Sequence, residues 1–191
     1  MTRENNKSKH MSGHHLSVRE IQPADIGLIT DYWLQADSTY LPGMGVDIHR
    51  LPSREQFTQW ITSQLEAPIE QKKSYCIIWE ADGRPVGHSN TNPTIFGEEA
   101  SMHLHLWDSS MRKMGLGSQL LSLTLPWYFE KLQLKRLISE PYALNPAPHK
   151  ALEKAGFTFV KEYITTPGSL NYEQPVKQWM VTREQFAQLH K

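Results

Sequence analysis

The chain has 191 residues, of which 39% are hydrophobic and 10% aromatic, and its 20 Lys and Arg balance its 20 Asp and Glu. This composition excludes an intrinsically disordered chain, and the balanced charge excludes nucleic acid or an anionic membrane as the main electrostatic partner. The single cysteine, Cys76, excludes an internal disulfide and a cysteine-based zinc site. Because no apolar run is long enough to cross a bilayer, we expect a soluble, cytoplasmic protein.

The first half of the chain predicts a tail, one strand, two helices and a hairpin. The polar residues 1–15 predict a disordered tail, although their histidines leave weak metal binding as an alternative. Apolar spacing then predicts a strand over 16–21, a helix from Pro23 to about Asp37, a loop over 41–46, a helix from Ser53 to Pro68, and strands over 75–80 and 84–89. Ser53 and Gln56 match a capping box, and Asp82-Gly83 is a strong hairpin signal. The second helix is expected to bury Phe57, Trp60, Ile61 and Leu65.

The second half alternates strands and helices. The pattern predicts a turn around Asn92-Pro93 and Gly97, a strand over 99–107, a helix over 117–132 that Pro126 bends or opens, a strand over 135–140, a helix over 147–155, strands over 157–163 and 176–182, and a last helical turn or two over 183–190. The central strand–helix–strand unit should be parallel. This order predicts an α+β (mixed α/β) fold, with one domain over 16–191, rather than a doubly wound nucleotide-binding sheet.

The segment after the strand over 99–107 carries the most chemistry. Gly115 and Gly117 open an apolar-periodic helix and let the backbone approach a ligand without an intervening Cβ. The first helical amides and the helix dipole favour an anion, and Arg112 and Lys113 add positive charge. The segment therefore predicts a pyrophosphate cradle. Helix-opening glycines also serve plain packing, and both the dinucleotide and the P-loop fingerprints are incomplete here.

Two motifs resemble the signatures of the GNAT N-acetyltransferases. Residues 112–117 match the Arg/Gln-x-x-Gly-x-Gly/Ala motif that follows the fourth strand of that family. About thirty residues later, Asn145 and the Leu-Glu-Lys-Ala-Gly-Phe run at 152–157 match its second motif. This ending is most similar to the Rim-type branch, which includes ribosomal-protein N-terminal acetyltransferases.

The resemblance implies a mostly antiparallel sheet with a splayed parallel strand pair, flanked by helices, and acetyl-CoA as the acetyl donor without a metal. It implies acetyl transfer to a primary amine, on a protein N-terminus or a small molecule, by direct attack in a ternary complex. The backbone of Leu106 and Trp107 would hold the pantetheine and the acetyl carbonyl, and Asn145 would contact the pantetheine. The pyrophosphate would be held by Arg112, Lys113, Met114, Gly115, Leu116, Gly117 and Ser118.

The glutamate base of the family lies near the position matched by Ser101, which cannot do that work. Strand alternation places Ser101, His103 and His105 on one face, opposite an apolar face. His103 and His105 are therefore candidate bases, with Glu99 on the same face nearer the strand start, because imidazole accepts a proton at neutral pH. Alternatively, both histidines merely line a polar sheet face. A zinc pair is less favoured, since the sequence offers no third ligand.

The general acid of the family is also replaced. Leu152 and Pro148 stand where family members carry Tyr or Ser, which leaves Tyr142, His149 or a water molecule to protonate the departing thiolate. A thiolate is a tolerable leaving group near neutral pH, so activity does not require that acid. The departures leave a second interpretation open, a catalytically silent module that binds or senses acyl-CoA.

The resemblance also implies an acceptor site beside residues 41–49, between the first two helices. Asp47, His49 and Arg50 could contact it there, although a solvated loop would have the same composition. Neither the identity of the amine nor the oligomeric state follows from the sequence. The final strands leave a homodimer open.

Overall fold

The computed structural model describes residues 13–37, 39–112 and 114–189. The strands in these ranges are β1 (Leu16–Glu20), β2 (Tyr75–Ala81), β3 (Arg84–Ile95), β4 (Glu99–Leu106), β5 (Arg136–Ser139), β6 (Thr158–Thr165) and β7 (Gln174–Thr182). They form one sheet in the order β1-β2-β3-β4-β5-β7-β6. The β4–β5 pair is parallel and the other neighbours are antiparallel, which confirms the mixed fold expected above.

The helices pack on both faces of this sheet. They are α1 (Ile26–Leu34), α2 (Tyr40–Gly43), α3 (Arg54–Glu66), α4 (Leu116–Lys131), α5 (Pro146–Lys154) and α6 (Arg183–Leu189). One core, built around the fully buried Leu120, Leu121 and Phe129, joins one face to α4, α5 and α6. A second, smaller core joins the other face to α1 and α3 through Ile29, Phe57, Ile61 and Ile78. None of the helices in the described ranges combines the length and apolar character that a bilayer crossing requires.

Local signals place several element boundaries. At the start of α3, Ser53 Oγ accepts from the N–H of Gln56 while the Gln56 side chain accepts from the N–H of Ser53, so the predicted capping box is confirmed. Asp82 and Gly83 both have positive φ, 52° and 73°, as the tight hairpin between β2 and β3 requires. Gly156, at φ 90°, lies two residues after the last residue of α5.

Three predictions about these elements were wrong. The expected loop over 41–46 begins as the short helix α2, and Leu41 is buried. The return strand of the hairpin continues past Asn92-Pro93 to Ile95, because a register shift between Thr91 and Thr94 accommodates Pro93, which has no N–H for the ladder. Trp60 is 41% exposed, because it borders a cavity beneath α3.

The structure describes only residues 13–15 of the expected tail. Residues 1–12 lie outside the described residues. His14 Nδ1 lies 2.7 Å from Asp82 Oδ2, and the N–H of His15 donates to Asp82 Oδ1 over 2.8 Å. The last two residues of the expected tail therefore contact the β2–β3 turn.

Candidate active site

The parallel strands β4 and β5 separate after a short ladder. They pair only over 99–101 and 136–138, and Ser139 Oγ donates to the Met102 carbonyl at the narrow end of the opening. The N–H of Trp107 donates to the Val86 carbonyl of β3 over 2.8 Å. Since peptide groups alternate along a strand, those of Leu104 and Leu106 face away from β3 and into the opening. The splayed pair implied by the resemblance is confirmed.

The N-terminus of α4 lies beyond β4 and has no side-chain cap. Gly115 is its N-cap at φ 75°, a conformation that favours glycine, and a Cβ added there would meet nothing within 4 Å. The Ser118 hydroxyl turns back to the Gly115 carbonyl over 2.9 Å. The first N–H groups of α4, which have no partner within the helix, are thus left for an anion. Lys113 lies outside the described residues, and Met114 is exposed.

Arg112 and Trp107 are engaged differently from the expectation. The Arg112 guanidinium donates to the Leu106 carbonyl over 3.1 Å and to the Trp107 carbonyl over 3.3 Å, and it lies 3.9 Å above the Tyr40 ring centroid. It therefore caps the end of β4 in this structure. The N–H of Trp107 is used within the sheet, so Leu104 replaces Trp107 beside Leu106 as a residue whose peptide groups face the opening.

A cavity of about 650 Å³ lies over this opening, on the face that carries α1 and α3. Its floor and walls are lined, among others, by His88, Asn90, His103 and His105 of β3 and β4, and by Trp33, Phe57, Trp60 and Ile61 of α1 and α3. The side beyond β5 is lined by Glu140, Tyr142 and Asn145. The structure thus brings together four predicted site residues, His103, His105, Tyr142 and Asn145.

His103 is a neutral imidazole, and one of its nitrogens has no hydrogen-bond partner among the described residues. Its Nε2 lies 2.9 Å from the Asn92 carbonyl, and since a carbonyl only accepts, Nε2 carries the hydrogen and Nδ1 keeps a lone pair. Burial lowers the pKa of His103, and the hydrogen bond to Asn92 and the charge of Glu140 oppose that shift more weakly. His103 can therefore accept a proton at neutral pH.

His105 lies in an aromatic cluster. Its Nδ1 is 3.2 Å from the Tyr32 hydroxyl, and its ring is 4.9 Å from that of Trp33. Burial, followed by the nearby imidazoles of His88 and His103, holds the pKa of His105 well below its usual value. Because its Nδ1 already has a partner, His105 is a weaker candidate base than His103.

Two other expected residues lie apart from the chemistry. Glu99 is bound to Arg136 over 2.6 Å at the other end of β4 and does not line the cavity. His149 uses both nitrogens, since Nε2 donates to the Tyr142 carbonyl over 3.1 Å and Nδ1 accepts from the Trp179 indole over 3.1 Å. It therefore has no free group with which to protonate a thiolate.

Three loop residues were expected to contact the acceptor. They instead form hydrogen bonds with one another and with the rest of the fold. The N–H of His49 donates to Asp47 over 3.0 Å, and Arg50 donates to the Asn171 carbonyl over 2.9 Å. From this loop it is Met44 and Val46 that line the cavity. Asp47, His49 and Arg50 do not line the cavity.

Glu140 is a site residue that the sequence analysis missed. It follows β5 directly, and one of its oxygens, Oε1, accepts from the Tyr163 hydroxyl and from Gln178 Nε2, each over 2.5 Å. Its position was visible in the sequence as a carboxylate at the end of the predicted parallel strand.

Asn145 caps α5, its Oδ1 accepting from the N–H of Ala147 over 3.3 Å. Within the described ranges, no three His, Cys, Asp or Glu side chains are grouped to hold a metal ion.

Comparison with solved structures shows the same fold at low sequence identity. An aminoglycoside acetyltransferase, AAC(6')-Ib, in complex with coenzyme A superposes with a TM-score of 0.68 at 16% identity, over 92% of this chain and 99% of that chain. The ribosomal α-N-protein acetyltransferase RimL with coenzyme A gives 0.70 at 15% identity, over 87% and 93%. Spermidine N-acetyltransferase from Vibrio cholerae, with coenzyme A and spermine, gives 0.72 at 13% identity, over 90% and 98%.

Comparison with protein families and curated sequences gives a family but no individual relative. Residues 15–158, well over half of the chain, match the acetyltransferase (GNAT) domain family, whereas no curated protein sequence matches. The splayed strands and the uncapped start of α4 fit acetyl-CoA, the acetyl donor of this family. With the two motifs, the sheet and the domain match in agreement, the chain belongs to the GNAT family of N-acetyltransferases.

Proposed function

We propose that this chain transfers an acetyl group from acetyl-CoA to a primary amine, on a small molecule or a protein N-terminus, by direct attack in a ternary complex. One observation carries the proposal: a single cavity is lined both by β4 and β5 at their opening and by the neutral His103. The similar structures include enzymes named for aminoglycosides, spermidine and a ribosomal protein, so amines of very different size suit this fold.

The donor side is the opening between β4 and β5. Peptide groups of Leu104 and Leu106 would pair with the pantetheine arm as an added strand would, and the first amides of α4 would bind the pyrophosphate. Asn145, at the far side, would contact the same arm. When bound, acetyl-CoA supplies a thioester that a neutral amine can attack directly.

The acceptor side depends on proton transfer. His103 Nδ1 takes the proton of the attacking amine, directly or through one water molecule. An α-amine, with a pKa near 8, needs less help than a lysine amine near 10.4, so a protein N-terminus is a chemically easy acceptor. His105, also neutral, lines the cavity floor beside His103. Tyr142, on the far side of the cavity, is the candidate proton donor to the thiolate.

Steady-state kinetics and intact-protein mass spectrometry test the order of events. We expect intersecting initial-rate plots when acetyl-CoA and an amine are varied together, and no acetylated protein in the absence of an amine. Parallel plots, or an acetylated protein, would overturn direct attack.

The replacements at Ser101, Pro148 and Leu152 favour one second candidate, a silent acyl-CoA-binding module. Tight coenzyme A binding without product across a broad amine panel would establish that module instead.

We also propose that the protein is located in the cytoplasm and forms a homodimer. The free thiol of Cys76 packs against the smaller core, which suits a reducing compartment. β6 is an edge strand of the sheet, and its Phe159, Val160 and Ile164 are exposed, so a second copy could cover it. Sedimentation at increasing protein concentration tests the dimer, and a constant monomer mass would exclude it.

A further inference from the structure

The cavity over the β4–β5 opening carries unequal numbers of charges. Apart from histidines, the described residues that line it and can be charged at neutral pH are Glu20, Lys72 and Glu140. Two are carboxylates and one is an ammonium. A partly buried carboxylate without a paired cation is a position at which a cationic ligand can bind.

Glu20 and Lys72 both line the α3 end of the cavity, where the charge of Glu20 acts on Lys72. Glu20 Oε1 accepts from the Tyr75 hydroxyl over 2.6 Å. Lys72 Nζ donates to the Gln64 carbonyl and, over 3.0 Å, to the Leu65 carbonyl near the end of α3. Burial lowers the pKa of Lys72, and the charge of Glu20 opposes that shift. The Lys72 ammonium is thus held by the α3 carbonyls, within the electrostatic reach of Glu20.

Within the described ranges, Glu140 forms no ion pair with a Lys or Arg side chain. Tyr163 and Gln178 both donate to Oε1, and Oε2 has no hydrogen-bond partner among the described residues. The lysines of the two neighbouring strands are engaged elsewhere. Lys161 Nζ lies 4.2 Å from the Tyr163 ring centroid, and Lys177 Nζ lies 3.9 Å from Glu162. Glu140 is therefore a carboxylate held in place by two donors, with one oxygen left for a ligand.

We infer that Glu140 binds a second, protonated amino group of the acceptor, so that the acceptors of this chain are small di- or polyamines. The inference rests on the proposed function. The amine that attacks must be neutral, and a carboxylate beside it would instead favour its protonated form. The neutral His103 therefore suits the reacting nitrogen, and Glu140 suits the nitrogen that stays charged. Both line one cavity, so one small molecule can reach both.

Matched acceptors isolate the charge at the distal end. Diaminobutane and aminobutanol have the same length and the same reacting amine, and differ in whether the other end is an ammonium or a hydroxyl. We expect the wild-type chain to show a KM for diaminobutane that is about ten- to a hundredfold lower than for aminobutanol, as a charge-assisted hydrogen bond would give. The kcat values should be similar.

Two variants locate the effect. Glu140→Gln keeps an oxygen for Tyr163 and Gln178 but removes the charge. It should raise the KM for diaminobutane by about ten- to a hundredfold, towards that for aminobutanol, and change the KM for aminobutanol far less. Glu162→Gln removes an exposed carboxylate outside the cavity and should change neither KM. Circular dichroism and coenzyme A binding check that both variants are folded.

Each remaining outcome separates the two proposals. Equal KM values for the two acceptors in the wild type would overturn the inference while leaving acetyl transfer intact. An equal loss of kcat with both acceptors in Glu140→Gln would also overturn it, because it would place Glu140 at the reacting nitrogen. The absence of acetylated product from any amine would overturn the proposed function itself.

Discussion

The imidazole rings of His88 and His105 stack between β3 and β4, with centroids 4.6 Å apart and planes inclined by 22°. The Trp107 indole donates to His88 Nδ1 over 2.8 Å, so His88 is held as a neutral acceptor. Burial, with a smaller contribution from His103, lowers the pKa of His88 to about 3. The cavity floor is thus kept uncharged by packing, and this has consequences for both stability and catalysis.

The stability of the fold should depend on the protonation of His88. Its pKa falls from 6.5 to about 3 on folding, so between these values the unfolded chain binds a proton that the folded chain does not. The free energy of unfolding should therefore fall as the pH is lowered from about 6.5 towards 3, by up to about 1.4 kcal/mol per pH unit from this residue.

The variant His88→Gln isolates this effect in urea denaturation. Glutamine retains an acceptor for Trp107 and does not titrate, so the variant should lose stability less steeply with acid than the wild type. The contribution of His103 is the same in both proteins and cancels in the difference, whereas the part of the His105 pKa shift that His88 causes is lost together with His88. Identical slopes would show that His88 does not carry the effect.

Catalysis should depend on His103 far more than donor binding does. His103→Ala should lower kcat/KM by about 10²- to 10⁴-fold, the range for loss of a general base, with the dissociation constant for coenzyme A unchanged within about twofold. Because burial lowers the pKa of His103, the wild-type rate, once corrected for the fraction of neutral amine, should fall with acid only below about pH 6.5. His14→Ala, which removes a contact between the segment before β1 and the β2–β3 turn, is the control. Unchanged turnover in His103→Ala would remove this residue from the chemistry.

Donor affinity should depend on the missing side chain at Gly117. A Cβ there would lie 3.9 Å from that of Ala151, an ordinary contact, so Gly117→Ala should fold normally. The added methyl group would nevertheless lie beside the first N–H groups of α4 and weaken coenzyme A binding at least about tenfold. A ligand at a hundred times its Kd stabilises by about 2.7 kcal/mol, which thermal unfolding detects, and the variant should lose much of that shift. Gly27→Ala, a helical site with open space, is the matched control. A full shift in Gly117→Ala would contradict the pyrophosphate assignment.

Arg112 should behave as a cap on β4. Removing its bonds to the Leu106 and Trp107 carbonyls and its contact with Tyr40 by Arg112→Gln should cost about 1–2 kcal/mol of stability, while the increase in melting temperature on adding coenzyme A should persist. The opposite pattern, normal stability with a lost coenzyme A response, would restore the phosphate contact that the sequence suggested.

Much of the fold and the donor side could be predicted from local sequence. The capping box at Ser53, the Asp82-Gly83 turn and the positive φ of Gly115 depend on neighbouring residues alone. The alternation of β4 likewise placed His103 and His105 on one face. These features are decided by backbone geometry, which a short stretch of sequence already expresses.

The acceptor side could not be predicted in the same way. Glu140 gains its meaning from Tyr163 and Gln178, which join it only when β6 and β7 pack beside β5. The exposure of Trp60 depends on a cavity between α3 and the sheet, which helical periodicity does not express. Long-range contacts therefore determine what the site can bind, and short motifs indicate only that it binds a donor.

Mass spectrometry of a primary amine incubated with acetyl-CoA tests the central claim most directly. Wild-type protein should produce the N-acetylated amine and free coenzyme A in equal amounts, at a rate that His103→Ala reduces by about 10²-fold or more. Free coenzyme A without acetylated amine, or no reaction with any amine of a broad panel, would contradict acetyl transfer at this site.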